Sequence, residues 1–245
     1  MAEPVIHTDR LTKRFGSFVA VDALSLTIPA GEIFGFLGAN GAGKTTAIKM
    51  LTGLLAPTSG SAIVAGFDLY TESERIKRAI GYMSQRFSLY DDLTVRENIR
   101  FFGGIYGLSA SSIKQKSERL IATLELGSVA DFRLSSLPLG WKQRLAFSVA
   151  LLHEPKIVFL DEPTGGVDPV TRRRFWDMMY ESAARGLTIF VTTHYMDEAE
   201  YCDRLCMMVD GKAAALGTPE ALKRQFEVSS MDELFIKLAR PEKQD

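Results

Sequence analysis

Cysteine is nearly absent from this sequence, which carries only two, Cys202 and Cys206, among 245 residues. Two cysteines cannot build the dense disulfide framework of a small secreted domain, and so few suit a reducing compartment. Their spacing would let them share one face of a helix, but two sulfurs without further ligands do not make a zinc site. We therefore expect both cysteines to be structural.

Long apolar runs and an excess of one charge are missing as well. No run approaches the roughly 18 to 20 residues that a helix needs to cross a bilayer. The first 20 residues carry several charged side chains and no apolar stretch, so they predict no signal peptide. With 29 Lys and Arg against 30 Asp and Glu, the net charge is −1, which argues against a general binder of nucleic acid. These absences predict a cytosolic chain that does not itself span a membrane.

Strand and helix patterns alternate at both ends of the chain. A short, continuous apolar run at 33–37 is typical of a strand buried on both faces of a parallel sheet, and further buried strands are predicted at 157–160 and 187–192. Helices are predicted at 46–55 and 172–184. Asp210 and Gly211 separate two further strand patterns and predict a hairpin turn there.

The middle of the chain is different in character. Thr94 and Glu97 form a capping box at the start of a helix, and helical patterns continue at 113–126 and 142–153. We therefore predict three parts. They are a core over 1–88 and 154–228, an inserted helical subdomain over 89–153, and a C-terminal helix and tail over 229–245.

One segment fits the phosphate-binding pattern G-x-x-x-x-G-K-[ST] and lies between the buried strand at 33–37 and a predicted helix. It comprises Gly38, Ala39, Asn40, Gly41, Ala42, Gly43, Lys44 and Thr45. Glycines let the backbone curl around phosphates and point its N–H groups inward. Lys44 is expected to reach the β- and γ-phosphates, and the hydroxyl of Thr45 to bind Mg²⁺.

A second buried strand pattern ends in two adjacent carboxylates, Asp161 and Glu162. Asp161 suits the ligand shell of Mg²⁺ in a P-loop nucleotidase. Glu162, one residue on, is expected to face the opposite side of the strand end and to polarise the attacking water as a general base. The helical block at 89–153 accounts for the long separation between Lys44 and Asp161.

With its motifs in this order, the chain resembles the ATP-binding subunit of an ABC transporter over nearly its whole length. The resemblance implies an α/β P-loop core with a small antiparallel β subdomain and an inserted α-helical subdomain. It also implies an ATPase that uses ATP and Mg²⁺. The run from Thr193 to Glu200 resembles exporter ATPases of the ABC-2 type, which favours export of drugs or other small hydrophobic compounds.

The resemblance also assigns roles to single residues. Phe15 matches the aromatic residue, usually tyrosine, that stacks on adenine; Gln85 matches a sensor of Mg²⁺ and the γ-phosphate. Asp168 lies in the loop that touches a partner, and His194 matches the switch histidine that binds the γ-phosphate. The predicted catalytic residues are Lys44, Glu162 and His194, and the predicted metal ligands are Thr45, Gln85 and Asp161. The predicted nucleotide-binding residues are Phe15, Gly38, Asn40, Gly41, Ala42, Gly43, Lys44, Thr45, Thr46, Gln85, Gly140 and Asp168.

One motif departs from the family. Where the family signature reads Leu-Ser-Gly-Gly-Gln, this chain has Leu137, Pro138, Leu139, Gly140 and Trp141. Pro138 offers neither a hydroxyl nor an N–H group, and Leu139 adds bulk where a glycine allows close approach. Gly140 and the helix N-terminus still favour an anion. We expect a complete nucleotide site that offers its partner a weakened signature.

The resemblance further implies two such domains arranged head to tail, with the second domain identical or different. It implies docking on integral membrane subunits, through Gln85 and residues 86–94, at the cytoplasmic face of the inner or plasma membrane. The alternative is a non-transport ATPase acting on ribosomes or nucleic acid. That alternative is disfavoured because the helical region is too short for the coiled coil of DNA-acting members and only one ATPase domain is present. The basic run 172–174 predicts a solvated helix face and is too short to imply a nucleic-acid partner.

Overall fold

Two β-sheets form the framework of this protein, and the computed structural model describes residues 3–85 and 89–239. The first sheet is antiparallel. It contains β1 (Ile6–Phe15), β2 (Phe18–Ile28), β4 (Ser59–Val64) and β5 (Phe67–Asp68), in the spatial order β2-β1-β4-β5. The predicted antiparallel portion of the fold is confirmed.

The second sheet is mostly parallel and carries the buried strands that the sequence predicts. Its members are β3 (Ile33–Gly38), β6 (Ile80–Met83), β7 (Ile157–Asp161), β8 (Thr188–Thr193), β9 (Arg204–Val209) and β10 (Lys212–Gly217), in the order β10-β9-β3-β8-β7-β6. Only β10 runs antiparallel to its neighbour. Because β3, β8 and β7 are adjacent and parallel, the residues that follow them meet at one edge of the sheet.

Eight helices surround the sheets in the described part of the chain. They are α1 (Lys44–Leu51), α2 (Ser73–Ala79), α3 (Val95–Ile105), α4 (Ala110–Thr123), α5 (Leu139–Ala150), α6 (Pro169–Ala183), α7 (Pro219–Gln225) and α8 (Met231–Ala239). Of these helices, none is both long and apolar enough to cross a bilayer.

The segment 89–153 contains α3, α4 and α5, and its apolar core is continuous with one face of the second sheet. Ile99 and Leu145 from the helices belong to the same buried cluster as Val158 and Val191 from the strands. A second cluster on the other face of the sheet surrounds Phe36 of β3. The helices are therefore packed against β7, the strand that ends at Asp161 and leads into Glu162.

Several element boundaries differ from the predictions. The first helix starts two residues earlier than predicted and α5 starts at Leu139, three residues before the predicted position. Helix α2 was not predicted, because Ile76 is its one buried residue and a single apolar position gives no period. The predicted hairpin turn is present, with φ of 47° at Asp210 and 79° at Gly211.

The two cysteines lie in different cores rather than on one helical face. Cys206 belongs to the cluster around Phe36, whereas Cys202 belongs to the cluster that contains Val158. Burial raises the pKa of both thiols, that of Cys206 to about 12. Both thiols are free, buried and protonated at neutral pH, which agrees with the structural role expected of them.

The capping box at the start of α3 gives a direct stability prediction. The hydroxyl of Thr94 accepts from the N–H of Glu97 at 3.1 Å, and the Glu97 carboxylate accepts from the N–H of Thr94 at 2.8 Å. We expect Thr94→Ala to lower the free energy of unfolding by about 1 kcal/mol, because it leaves a helix donor unpaired. Urea denaturation measures this loss, and Thr94→Ser, which keeps the hydroxyl, should remain close to wild type. Equal losses in both variants would contradict the capping role.

Candidate functional site

The loop between β3 and α1 is shaped by glycines at positions where a side chain has no room. Gly38 has φ 153° and Gly43 has φ 103°. A Cβ atom at Gly38 would lie 2.5 Å from the carbonyl oxygen of Met208, and one at Gly43 would lie 2.4 Å from that of Ala20. Helix α1 follows at once, with no side-chain cap and no acidic residue in its first turn. Its free N–H groups therefore present a site for an anion.

Lys44 lies inside this loop and is 5% exposed. Its ammonium group donates to the carbonyl oxygens of Gly38 at 2.8 Å and Ala39 at 3.1 Å, and Nζ lies 3.5 Å from Oε1 of Glu162. Burial lowers the pKa of Lys44 below its ordinary value, and the charge of Glu162 opposes this change. The cation is thus fixed between the loop and the end of β7.

Asp161 is the last residue of β7 and is almost completely buried. Its Oδ1 accepts from the hydroxyl of Thr192, the residue beside it in β8, at 2.7 Å. Burial raises the pKa of Asp161, and the hydroxyls of Thr192 and Thr45 partly offset this increase. The carboxylate of Asp161 therefore interacts with Thr45, the residue that follows Lys44.

Thr45 and Asp161 fit the ligand chemistry of Mg²⁺, which prefers oxygen donors and usually takes only one or two carboxylates from the protein. In the ranges 3–85 and 89–239, no group of three or more His, Cys, Asp or Glu side chains is arranged around a common metal position. A metal here would therefore complete its shell with phosphate oxygens and water.

Glu162 does not continue the strand, and the expectation that it faces the opposite side of the strand end is wrong. Its φ of 50° turns the chain, so the alternation of an extended strand no longer applies. The turn is held by the N–H of Glu162, which donates to the hydroxyl of Thr192 at 3.0 Å. As a result, the two adjacent carboxylates Asp161 and Glu162 both act on Lys44.

Gln85 and His194 approach the other oxygen of the Glu162 carboxylate. The amide of Gln85 donates to Oε2 of Glu162 at 2.8 Å. Nδ1 of His194 lies 3.1 Å from the same oxygen, a close contact without hydrogen-bond geometry. The His194 ring also packs on Tyr195, with ring centroids 4.2 Å apart. Five predicted residues, Lys44, Gln85, Asp161, Glu162 and His194, are thereby brought together at one edge of the sheet.

The remaining predicted residues lie around this cluster or have local roles. Phe15 ends β1 with half of its surface exposed, so it is not a core residue, and Nζ of Lys13 lies 5.2 Å from its ring. Asp168 caps α6, where its carboxylate accepts from the N–H groups of Val170 and Thr171. The loop residues Asn40, Gly41 and Thr45 are exposed, Thr46 is half-buried and Ala42 is buried.

Gly140 lies in the first turn of α5 and has a packing role that its sequence context does not reveal. A Cβ atom there would come within 2.4 Å of the Thr171 side chain on α6. A side chain at position 140 would therefore force the methyl group of Thr171 to move. Next to it, Leu139 and Gln143 line a cavity of about 300 Å³ that Gln85 and Glu162 also border.

Thr192 is the functional residue that sequence reasoning missed. Its side chain supports both carboxylates, through Oδ1 of Asp161 and the N–H of Glu162. The available signal is weak, because Thr192 stands near the end of a buried strand that also contains Thr188 and Thr193. That signal has meaning only once β8 is known to lie beside β7.

Comparisons with known proteins agree with this geometry. A family model described as "ABC transporter" matches residues 21–165. The probable multidrug ABC transporter ATP-binding protein YbhF of Escherichia coli is 50% identical over 96% of this chain. The chain spans only 42% of that protein. The Nod factor export ATP-binding protein I of Burkholderia lata is 42% identical over 89% of this chain and 73% of that protein.

A solved structure extends the comparison to three dimensions. It is the dimeric post-hydrolysis state of an ATP-binding cassette bound to ADP and Pi. The match covers 87% of this chain and 98% of that one, at 25% identity and a TM-score of 0.78. The α/β architecture with its antiparallel sheet is therefore that of the solved cassettes.

The buried carboxylate of Asp161 gives a prediction about the dependence of stability on pH. Because the folded-state pKa is raised above the ordinary value of 3.8, the folded chain binds this proton more tightly than the unfolded chain at pH values between the two pKa values. Stability is therefore lost as the pH rises from the ordinary value through the folded-state value. We expect Asp161→Asn to be more stable than wild type at neutral pH, with a difference that shrinks on acidification.

Urea denaturation at a series of pH values, without nucleotide or divalent cations, measures this difference. The exposed Asp131, which pairs with Arg96 at the surface, supplies the matched control Asp131→Asn. A difference between Asp161→Asn and wild type that does not change with pH would contradict the argument.

Proposed function

This chain belongs to the ABC transporter family, and we propose that it binds and hydrolyses ATP to energise transport across a membrane. The observation that carries the proposal is the meeting of a buried lysine in a glycine-shaped phosphate loop with the Glu162 carboxylate. Both kinds of group are needed for hydrolysis of a nucleoside triphosphate, one for the phosphates and one for water.

In this proposal the phosphate loop binds the β- and γ-phosphates through its N–H groups and through Lys44. Thr45 and Asp161 would hold Mg²⁺, with Gln85 beside them, and the metal would neutralise phosphate charge. Phe15, half-exposed at the end of β1, would stack on adenine. The other nucleotide contacts proposed are Asn40, Gly41, Ala42, Thr46 and, across a domain interface, Gly140 and Asp168.

Glu162 would act as the general base. Its carboxylate is held at one oxygen by Lys44 and at the other by Gln85. A base fixed from both sides needs little reorganisation to accept a proton from an attacking water. His194, in contact with the same carboxylate, would stabilise charge on the phosphoryl group being transferred.

We further propose that the chain serves an exporter of drugs or other small hydrophobic compounds. The support is in the relatives, which are named for multidrug transport and for Nod factor export. The membrane subunits would hold the chain at the cytoplasmic face of the membrane. The alternative function, that of a non-transport ATPase acting on ribosomes or nucleic acid, has no support among these relatives.

A membrane partner would dock beside Gln85, within residues 86–94. Residues 86–88 lie outside the described part of the chain. Beyond them, Tyr90 is half-exposed and packs edge-on against the exposed ring of Phe101, with centroids 5.0 Å apart. This aromatic surface belongs to the proposed helical subdomain, 89–153, which would couple the membrane subunits to the core formed by 1–88 and 154–228.

The proposed roles of Lys44 and Glu162 separate in a binding and turnover experiment. Lys44→Met should weaken ATP binding roughly ten- to a hundredfold, because it removes charged hydrogen bonds to phosphate. Glu162→Gln should keep ATP binding but lower the rate of hydrolysis by about a hundredfold or more. Titration with a fluorescent ATP analogue and a phosphate-release assay measure the two effects.

Lys49, exposed on α1, supplies the control Lys49→Met, which should bind and hydrolyse ATP like wild type. Unchanged binding in Lys44→Met, together with unchanged turnover in Glu162→Gln, would overturn the proposed function.

A second domain would sit head to tail against this one, as in the dimeric cassette that the chain resembles. This chain would offer that partner a weakened signature, because Pro138, the N-cap residue of α5, has neither a hydroxyl nor an N–H group to donate to a phosphate. The Leu139 side chain occupies space where a glycine would leave the helix end open. The partner domain would be identical or a different chain.

Restoring the signature tests this proposal. The double variant Pro138→Ser/Leu139→Gly should raise ATP turnover by on the order of tenfold, the value of one hydrogen bond to a charged group. The matched double variant Pro138→Ala/Leu139→Gly restores the backbone N–H and the space but not the hydroxyl, and should gain less. Phosphate release at saturating ATP gives the comparison. Unchanged or lower turnover in the Ser/Gly variant would count against a weakened signature.

A further inference from the structure

A buried carboxyl group lies beneath the candidate site and takes no part in the proposed reaction. Glu198 is fully buried in the short 3₁₀ helix that follows β8. Its Oε1 accepts from the hydroxyl of Thr164 at 2.6 Å, and Thr164 is itself 1% exposed. Its Oε2 has no hydrogen-bond partner in the described part of the chain. A buried acid needs an explanation, because burial without full pairing costs stability.

The first arginine of the run 172–174 partners this carboxyl group, so the prediction of a solvated helix face is wrong for Arg172, whereas Arg173 and Arg174 are exposed as predicted. Nε of Arg172 lies 3.5 Å from Oε1 of Glu198, and its guanidinium stacks 4.3 Å from the ring of Tyr195. A second contact is a hydrogen bond that Nη1 of Arg172 donates to Oδ2 of Asp197 at 3.5 Å. Arg173, by contrast, pairs at the surface with Asp177.

These contacts link the two turns that carry the proposed catalytic groups. Thr164 lies in the turn after Glu162, where the N–H of Gly165 donates to the carbonyl oxygen of Glu162 at 3.2 Å. On the other side, the N–H of Glu198 donates to the carbonyl oxygen of Tyr195 at 3.2 Å, next to His194. The two turns follow neighbouring strands, β7 and β8. They also meet where His194 contacts Glu162.

We propose that Glu198 is a positioning residue that fixes His194 relative to Glu162, through Thr164 on one side and Tyr195 on the other. The inference rests on the proposed ATPase function and deepens it. Glu198 touches neither nucleotide nor water in this role. It fixes the separation of two turns, one that begins at Glu162 and one that follows His194.

Burial makes this linkage stiff. Hydrogen bonds and ion pairs in a low-dielectric interior are stronger than at the surface, and breaking one partner leaves the other unpaired. The linkage also reaches α6 through Arg172, four residues after Asp168, which caps that helix. The loop 164–168, which contains the proposed partner contact Asp168, is therefore held at both ends. Thr164 is hydrogen-bonded to Glu198 at one end, and Asp168 caps α6 at the other.

Thr164→Val tests the linkage because it removes the hydroxyl donor while keeping the volume of the side chain. We expect it to lower kcat for ATP hydrolysis about ten- to a hundredfold, since a misplacement of about 1 Å has effects of this size. The KM for ATP should change by less than about threefold, because Lys44 and the phosphate loop are untouched. Thr164→Ser, which restores the hydroxyl, should recover most of the turnover.

A matched control separates positioning from general loss of stability. Thr8→Val removes a buried hydroxyl of β1 that donates to Leu24 and accepts from Leu26. It should lower Tm at least as much as Thr164→Val but leave kcat unchanged at a temperature where both variants are folded. An unchanged kcat in Thr164→Val would overturn the proposal, as would a loss that Thr164→Ser fails to recover.

A spectroscopic measurement tests the linkage without relying on ATP hydrolysis. The chain has three histidines, His7, His153 and His194, so their imidazole signals are readily assigned by substitution of His7 and His153. We expect Thr164→Val to shift the ¹⁵N signals of His194 and leave the other two in place, while Thr8→Val leaves His194 unchanged. Unshifted His194 signals in Thr164→Val would sink the proposal even if the wild type is an active ATPase. If the wild type lacks ATPase activity but Thr164→Val still shifts the His194 signals, that result would contradict only the proposed function.

Discussion

The buried ammonium group of Lys44 is the constraint on which the site depends. A cation with 5% exposure is tolerated only where several acceptors surround it. Two acceptors are carbonyl groups of its own loop, and the third is the carboxylate of Glu162, far along the chain. The loop must therefore close tightly, and β7 must end beside β3 with only β8 between them. The strand order provides this arrangement, with His194 following the middle strand.

The sequence predicts the buried strands of the second sheet well because burial on both faces leaves mostly apolar runs. All residues of β3, β7 and β8 are buried, so no alternation obscures the pattern. The sequence does not predict α2 for the opposite reason, since Ile76 is the one residue of this helix that is buried. The sequence pattern puts the start of α5 too late because Leu139, Gly140 and Trp141 carry no periodic signal, whereas the helix begins directly after its N-cap residue, Pro138.

The residues of the site were predictable, but not their arrangement. Asp161 and Glu162 stand out as a pair of acids after a buried strand, yet alternation puts Glu162 on the wrong side. Its positive φ is imposed by bonds to Thr192, thirty residues away along the chain. Likewise, the bond between Thr164 and Glu198 joins two segments that are neighbours only because β7 and β8 pair in parallel register. Such contacts follow from sheet order, which local patterns do not encode.

The retained glycine of the altered signature illustrates how two constraints can share one position. In the family, glycines in this motif are associated with the approach of a ligand held by the partner domain. Here Gly140 also leaves room for the methyl group of Thr171 on α6, which a Cβ atom would approach to 2.4 Å. Packing alone therefore offers a reason for a glycine at this position. Under the proposed function, the departures at Pro138 and Leu139 therefore remain the features that would weaken the contact of this helix end with a partner's nucleotide.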